Sequence, residues 1–229
     1  MFDFDESLNI IEKNLDEAIG AYFVYDNIMQ NAVLNELFLQ KLNQNKYFWH
    51  YIFYSLQTTY FMCLGRIFDN KSKSLSINAF LNECTRNINL FSKTELRKRK
   101  GNIFSTKNDL QNYIDNAYEP KLADFKNLIN IVKAYNREYE DNYRDIRHTV
   151  FAHTEITKKE ELEKLFSKTS RDKLEEILMV LKHILIGMFG LYHNGHKIEL
   201  ANNIYLNGFN VVKKIKEETK DVLKSLNAL

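Results

Sequence analysis

The sequence predicts an all-α fold, a single helical bundle with long antiparallel helices and short accessory helices. Only one proline and seven glycines occur among 229 residues, so few positions interrupt a helix. Hydrophobic residues make up 45% of the chain and aromatic residues 13%, enough for one substantial core. Because no repeat, low-complexity tract or flexible linker divides the chain, we predict one helical domain over residues 1–229.

The first part of the chain has apolar residues at helical spacing. From Phe4 to about Asn43 this spacing predicts one long helix, or two helices with a bend near Gly20. The next segment, Lys46 to Asp69, carries aromatic residues on nearly all sides of a helix. Such a helix is normally buried, so we predict a central helix and interpret its aromatic residues as core rather than as a platform for stacking bases.

The middle of the chain predicts shorter elements. Residues 70–76 form a polar loop in which Ser74 or Ser76 could cap a short helix through Cys84. The segment from Leu90 to Ser105 is predicted to be irregular. Residues 106–117 are predicted to form another helix, with an acidic side chain in the first turn where the helix dipole favours it.

The last part predicts four further helices. We expect a long helix from Pro120 to about Thr154 and a short one from Thr157 to Phe166. A helix with a clear apolar face begins at Ser170 or Arg171 and ends at Asn194 and Gly195. The tail, residues 202–229, has apolar residues on a charged background and predicts a final amphipathic helix.

The segment Tyr143–Glu155, which reads YRDIRHTVFAHTE, contains the main candidate site. On a helix a side chain reaches its neighbours three and four positions away. Arg144 has Glu140 at such a distance, but Arg147 has no carboxylate at any of these positions. His153 extends an apolar stripe of the same helix by one turn. Arg147 must therefore find its partner elsewhere in the fold or in a ligand.

Arginine and histidine together could cleave a phosphodiester without a metal. The guanidinium can bind two phosphate oxygens, and an imidazole with a pKa of about 6.5 can transfer protons near neutral pH. We therefore assign Arg147 as a phosphate clamp and His153 as general acid or base, as a hypothesis. In an α-helix these residues would lie roughly 120° and about 9 Å apart, so a second copy related by a two-fold axis would be needed. From the residues alone, ordinary packing and ion pairing explain them equally well.

Arg147 and His153, with five residues between them, match the R-x(4 to 6)-H signature of HEPN domains. The string RHTVFAHTE resembles the AbiU-type abortive-infection branch of that superfamily. A second patch, CLGRIFDNKSKSLSINAFL from Cys63 to Leu81, is similar to the same branch. The resemblance implies a helical bundle of HEPN type.

The resemblance also implies a function. HEPN ribonucleases are homodimeric, metal-independent endoribonucleases with an Arg/His site across the dimer interface, and they leave a 2′,3′-cyclic phosphate. His148 would occupy the polar position next to the arginine and position the site. RNA is then the substrate, an antitoxin protein is a candidate partner, and the biological role is that of a toxin or phage-defence effector. The alternative is a non-catalytic helical dimerisation or protein-interaction module with the same fold.

Arg66 and a cluster of basic residues are further candidate substrate-binding residues. Arg66 and Asp69 are three positions apart, which is typical of an ion pair within a helix, and the resemblance suggests support for the motif helix instead. The basic cluster contains Lys98, Arg99 and Lys100 and is the only strong one in the chain. Such a cluster is usually a solvated loop, but it could guide RNA towards the site.

Composition excludes several other classes. Thirty-two basic and 30 acidic residues leave a net charge of +2, which is no signature of a nucleic-acid-binding protein as a whole. His183, His193 and His196 lack the spacing of a metal site, so no metal and no cofactor is expected. Cys63 and Cys84 have no CxxC partner and are expected to be buried thiols. With no apolar run of membrane-spanning length and no secretory signal, we expect a cytoplasmic protein without a membrane partner.

Overall fold

The structure is a computed structural model that describes residues 2–69, 74–152, 159–200 and 210–225. Every regular element in these ranges is helical, which confirms the all-α prediction. The α-helices are α1 Phe4–Leu34, α2 Glu36–Gln44, α3 Lys46–Ile67, α4 Ile77–Arg86, α5 Lys93–Lys100, α6 Lys107–Asn116, α7 Leu122–Asn142, α8 Arg144–Ile146, α9 Lys159–Ser167, α10 Arg171–Asn194 and α11 Asn210–Ser225. A 3₁₀ helix covers Ile88–Phe91 and a π-helix covers Arg147–Ala152.

Helix α1 lies at the centre of the bundle, where it packs along α3 and also contacts α10 and α11. Two contacts fix its direction against α3: Cys63 Sγ lies 3.5 Å from Glu17 Oε2, and the rings of Tyr25 and Phe53 lie 5.8 Å apart. Later residues of α1 thus meet earlier residues of α3, so the two helices are antiparallel. Helix α4 packs against α7 beside them.

The first helical segment breaks at Asn35, so the expected bend near Gly20 is wrong. Asn35 has an extended backbone (φ −134°, ψ 104°), and its side chain accepts a hydrogen bond from the Phe38 amide at 3.1 Å. This side chain satisfies an amide that the start of α2 would otherwise leave unpaired. Gly20 lies inside α1 without disturbing it.

Helix α3 is central only in its C-terminal half. Its buried residues lie between Tyr60 and Ile67, whereas Tyr47 is 74% exposed and Tyr51 is 67% exposed. The prediction of a helix buried throughout is therefore wrong for the first half. The sequence pattern could not separate the halves because the aromatic residues continue along both, and only the neighbouring helices decide which are covered.

The basic cluster is helical, not irregular as predicted. Ser92 begins α5 by accepting a hydrogen bond from the Glu95 amide at 3.3 Å, and Leu96 is buried. Lysine and arginine are good helix formers, and cations near a helix C-terminus are favoured by its dipole. These two favourable effects together outweigh the repulsion between the neighbouring charges.

Several local predictions are confirmed. Ser76 caps α4, and α6 has Asp109 in its first turn, as predicted. The cap of α6 is Thr106, which accepts a hydrogen bond from the Asp109 amide at 3.1 Å. Helix α10 runs from Arg171 to Asn194. The two cysteines are buried, unpaired thiols. In the ranges given above, no helix is long and apolar enough to cross a membrane.

We expect Gly195→Ala to destabilise the protein by at least about 1–2 kcal/mol, the cost of a left-handed conformation for a residue with a Cβ. Gly195 ends α10 with φ 63°, and an added Cβ would lie 2.7 Å from side-chain atoms of both Leu96 and Ala117. Urea titration followed by circular dichroism measures the change in the free energy of unfolding.

Gly20→Ala is the matched control, because a Cβ there would meet no atom within 4 Å. It should stabilise the protein by about 0.5–1 kcal/mol, as alanine does over glycine inside a helix. Equal effects of the two substitutions would contradict the assignment of Gly195 as a strained helix end.

Candidate active site

The segment that carries the Arg/His motif is not the uniform α-helix that the sequence predicted. Helix α7 ends at Asn142, Tyr143 departs from helical geometry (φ −120°, ψ −28°), and the three residues of α8 lead into the π-helix. The Tyr143 hydroxyl donates a hydrogen bond of 3.0 Å to the carbonyl of Ser170, which ties this distortion to the start of α10. A π-helix has i→i+5 hydrogen bonds, so α-helical angles do not describe the segment Arg147–Ala152.

Arg147 is the first residue of the π-helix, and its side chain lies directly against Gly65 of α3. A Cβ added to Gly65 would lie 2.5 Å from Cδ and 2.8 Å from Cζ of Arg147, closer than atoms can approach. The guanidinium of Arg147 therefore fits against α3 because Gly65 has no side chain. The close packing of the arginine stem on α3 fixes the position of its charged end.

His148 contacts the same guanidinium. Its Nε2 atom lies 3.1 Å from Nη2 of Arg147. Because arginine can only donate hydrogen bonds, Nε2 of His148 must be the acceptor, and the proton of the neutral ring is then on Nδ1. His148 thus holds the guanidinium from one side.

A cavity of about 310 Å³ surrounds these groups and is open to solvent. Its lining residues come from the end of α3, from α7 and from the motif segment: Gly65, Phe68, Asp69, Tyr139, Glu140, Arg144, Arg147 and His148. Glu140 accepts a hydrogen bond of 2.9 Å from Arg144, which confirms the pairing expected for Arg144. Among the described residues, by contrast, Arg147 forms no salt bridge with a carboxylate.

Two polar groups of the cavity wall lack a hydrogen-bond partner. They are the buried Nε atom of Arg147 and the hydroxyl of Tyr139, whose ring stacks on Phe68 at 5.1 Å. Burial raises the pKa of Tyr139 to about 12, although the nearby charge of Arg147 acts to lower it. The hydroxyl therefore stays protonated near neutral pH and remains a donor. Unpaired buried donors are costly, so this wall suits a ligand with acceptor oxygens.

A family model described as HEPN_AbiU2 (AbiU2) matches residues 5–205 of the chain. The chain belongs to the HEPN_AbiU2 family. The match covers both sequence patches that suggested it, around Arg147 and around Gly65, and the family is one related to abortive infection. Comparisons with curated proteins and with solved structures found no match.

The second motif residue of this HEPN_AbiU2 protein, His153, lies outside the described residues. Arg66 is exposed, and its Nη1 atom lies 3.4 Å from Oδ1 of Asn14 on α1. It thus points towards α1 and does not line the cavity, although its neighbour Asp69 does.

The three cations of the basic cluster also lie apart from the cavity wall. Lys98 pairs with Glu95 on its own helix at 2.6 Å. Arg99 donates to the carbonyl of Tyr192 at 2.9 Å and lies over its ring, and Lys100 donates to Oδ1 of Asn194 at 2.9 Å. Two of the three therefore bind the C-terminal end of α10, where carbonyl groups need partners.

The histidines considered as metal ligands have other contacts. His193 Nε2 lies 2.8 Å from Oδ1 of Asp5, and His183 Nδ1 lies 3.1 Å from the carbonyl of Met179. No group of three or more potential metal-ligating side chains occurs among the residues that the structure describes.

Sequence reasoning names Arg147 and His148 as site residues but misses several other residues of the cavity wall, of which Gly65 and Tyr139 matter most for the chemistry. Gly65 stands directly before Arg66 in the second patch, and Tyr139 is one of the buried residues of α7. A glycine in the interior of a helix, where no turn or helix end requires it, can indicate that another group packs closely against the backbone. Nothing in the sequence distinguishes the hydroxyl of Tyr139 from those of other tyrosines.

The contact between Gly65 and Arg147 predicts a change of sign in a double-mutant cycle. In an Arg147→Ala background, Gly65→Ala should stabilise the protein by about 0.5–1 kcal/mol, because the position is then an ordinary helix interior. In the native background this gain should vanish or reverse, because Arg147 must move. Denaturant titration of the four proteins measures the coupling free energy between the two positions. Additive effects would show that Arg147 does not pack against Gly65.

Proposed function

We propose that this HEPN_AbiU2 protein is a metal-independent endoribonuclease that acts as a homodimer with a composite Arg/His site. Its role would be that of a cytoplasmic toxin or abortive-infection effector in phage defence. The observation that carries the proposal is the open cavity in which Arg147, held against Gly65 and beside His148, has no carboxylate partner among the described residues.

The cavity wall favours a phosphate as ligand. The guanidinium supplies a permanent positive charge, and the unpaired Nε of Arg147 and hydroxyl of Tyr139 are hydrogen-bond donors without an acceptor in the protein. Phosphate oxygens accept several hydrogen bonds and carry negative charge, and arginine binds them in a planar, two-pronged geometry. A phosphodiester of RNA provides both the charge and the acceptors.

Cleavage would proceed through the ribose itself. The 2′-oxygen attacks phosphorus as a general base removes its proton, and the 5′-oxygen of the next nucleotide leaves with a proton from a general acid. The products are a 2′,3′-cyclic phosphate and a 5′-hydroxyl. Arg147 stabilises the charge that develops on the phosphoryl oxygens, and His148 positions it through Nε2.

His153 is assigned the proton transfers, because imidazole titrates near neutral pH and can act as acid or base. The reaction needs a base and an acid at the same phosphate, and one chain supplies His153 once. Two chains related by a two-fold axis would supply two histidines and two arginines. This is why the site is proposed as a composite of two protomers.

A non-catalytic interaction module remains the second candidate function. It is favoured by one specific observation, the exposed aromatic residues on the first half of α3. Exposed apolar surface of this kind is typical of protein interfaces whether or not the protein is an enzyme.

Arg147→Ala and His153→Ala should each reduce cleavage of a single-stranded RNA in EDTA by at least about 100-fold, since each would remove a group that acts in the transition state. Arg147→Lys should recover little activity, because lysine keeps the charge but lacks the two-pronged geometry. The measurement is the initial rate of cleavage of an end-labelled RNA, with the new ends tested for a 2′,3′-cyclic phosphate.

Arg137→Ala and His193→Ala are matched controls. Arg137 is an exposed arginine of α7, and His193 is a histidine at the end of α10 that pairs with Asp5. Both variants should cleave at the native rate. Absence of cleavage in the native protein, or equal rates in all variants, would favour the non-catalytic module.

A further inference from the structure

One face of α3 is a continuous stripe, and the described part of the motif segment, residues 143–152, covers one portion of it. Positions three and four apart lie on the same side of a helix, and the residues spaced in this way are Tyr47, Tyr51, Tyr54, Thr58, Phe61 and Gly65. Arg147 covers Gly65, and the ring of Phe151 lies 5.1 Å from that of Phe61 and 5.6 Å from that of Tyr54. Among the described residues of the motif segment, no ring contact with the stripe extends beyond Tyr54.

The uncovered part of the stripe is unusually apolar for a surface. Tyr47 is 74% exposed, Tyr51 is 67% exposed and Tyr54 is 43% exposed, with Phe48 beside them at 60%. Because α1 and α3 are antiparallel, the end of α1 and the start of α2 lie at the same end of the molecule, and they expose Val33, Leu34 and Leu37. Apolar patches of this size mark interaction sites.

We propose that a second copy of this chain docks on the face formed by Tyr47, Phe48, Tyr51 and Tyr54. The inference rests on the proposed function only in that it names the surface through which the composite site is assembled. The interface itself is argued from area, charge and position, so it does not require the protein to be a ribonuclease.

The exposed area matches what a dimer requires. Aromatic side chains bury about 150–250 Å² each, so four that are roughly half to three quarters exposed offer on the order of 500 Å². Val33, Leu34 and Leu37 extend the apolar surface at the same end of the molecule. A stable interface buries about 800 Å² on each partner, which this surface and a polar rim can supply.

The charge of this surface favours a copy of itself over an RNA. Residues 37–68 contain no aspartate or glutamate, and the cations within α3 before Arg66 are limited to Lys46 and the titratable His50. A two-fold interface places the same residues opposite each other, so a nearly uncharged face meets its copy without repulsion. An RNA, in contrast, requires cations matched to its phosphates, and this face has few.

The position of the face connects it to the candidate site. Tyr54 ends the exposed part of the stripe and contacts Phe151, which lies in the same π-helix as Arg147. A partner that covers Tyr51 and Tyr54 therefore lies against the segment that carries the motif. Assembly on this face brings atoms of the partner next to that segment, as a composite site requires.

Mass in solution tests the interface directly. The native chain of 27.2 kDa should sediment as a two-chain particle at micromolar concentrations, and the double variant Tyr47→Glu/Tyr51→Glu should sediment as a single chain. Four carboxylates brought together across a two-fold axis repel one another and lose hydration. Ile103→Glu is the matched control, because Ile103 is 65% exposed but lies in the turn after α5, and it should keep the two-chain mass.

Circular dichroism should show native helix content in both variants, because each replaces exposed side chains. If the double variant fails to fold, the single variant Tyr51→Lys serves in its place and should raise the dissociation constant of the dimer at least tenfold. A native protein of single-chain mass overturns the proposal, and so does a two-chain mass in the folded Tyr47→Glu/Tyr51→Glu variant. So does a variant that stays two-chain but loses binding to a single-stranded oligonucleotide, because the face would then be an RNA-binding surface.

The cleavage assay keeps the two proposals distinguishable. A native dimer that the substitutions dissociate supports the interface even when no RNA is cut, and that result counts against the ribonuclease alone. A dissociated variant that still cleaves RNA at the native rate supports the interface as well and contradicts only the composite site.

Discussion

The close packing of Arg147 on Gly65 is the contact on which the candidate site depends. A guanidinium can approach a helix backbone this closely only where no Cβ is present. The same packing buries Nε without a hydrogen-bond partner, which is costly unless something else compensates. Within the described part of the chain no carboxylate compensates it by a salt bridge, and the open cavity leaves room for a ligand that can. Packing thus fixes the position of Arg147. Its guanidinium stays available to a ligand because no described carboxylate neutralises its charge.

Local sequence signals predicted the elements that are determined locally. Ser76 caps α4 through its own side chain, and Gly195 ends α10 in a left-handed conformation. These features depend only on residues a few positions away, so they can be predicted from the local sequence. The exposure of Tyr47 and Tyr51 depends instead on which helices pack against each part of α3. No pattern within α3 carries that information.

The same division applies to the site. The absence of a carboxylate three or four positions from Arg147 was visible in the sequence, and the structure confirms that Arg144, not Arg147, has the intrahelical partner. The neighbours that fix Arg147, however, come from α3 and α7. No pattern in the sequence predicts the π-helix. The apolar spacing of α7 continues through Ile146 and Val150, and this spacing predicts a single α-helix. A π-helix arises from how the segment packs, and such segments often occur at functional sites.

One stripe of α3 therefore serves two purposes through a change in side-chain size along its length. Its C-terminal end is small at Gly65 and admits the guanidinium, while its N-terminal end is large and aromatic and faces solvent. Phe151 spans the two parts by contacting both Phe61 and Tyr54. If a second copy covers Tyr54, the packing of Phe151, and with it the position of the π-helix, differs between the free and paired chains. Binding at the cavity and pairing on α3 are then linked, and by reciprocity pairing changes the affinity of the cavity for its ligand by the same factor by which the ligand changes the affinity of pairing.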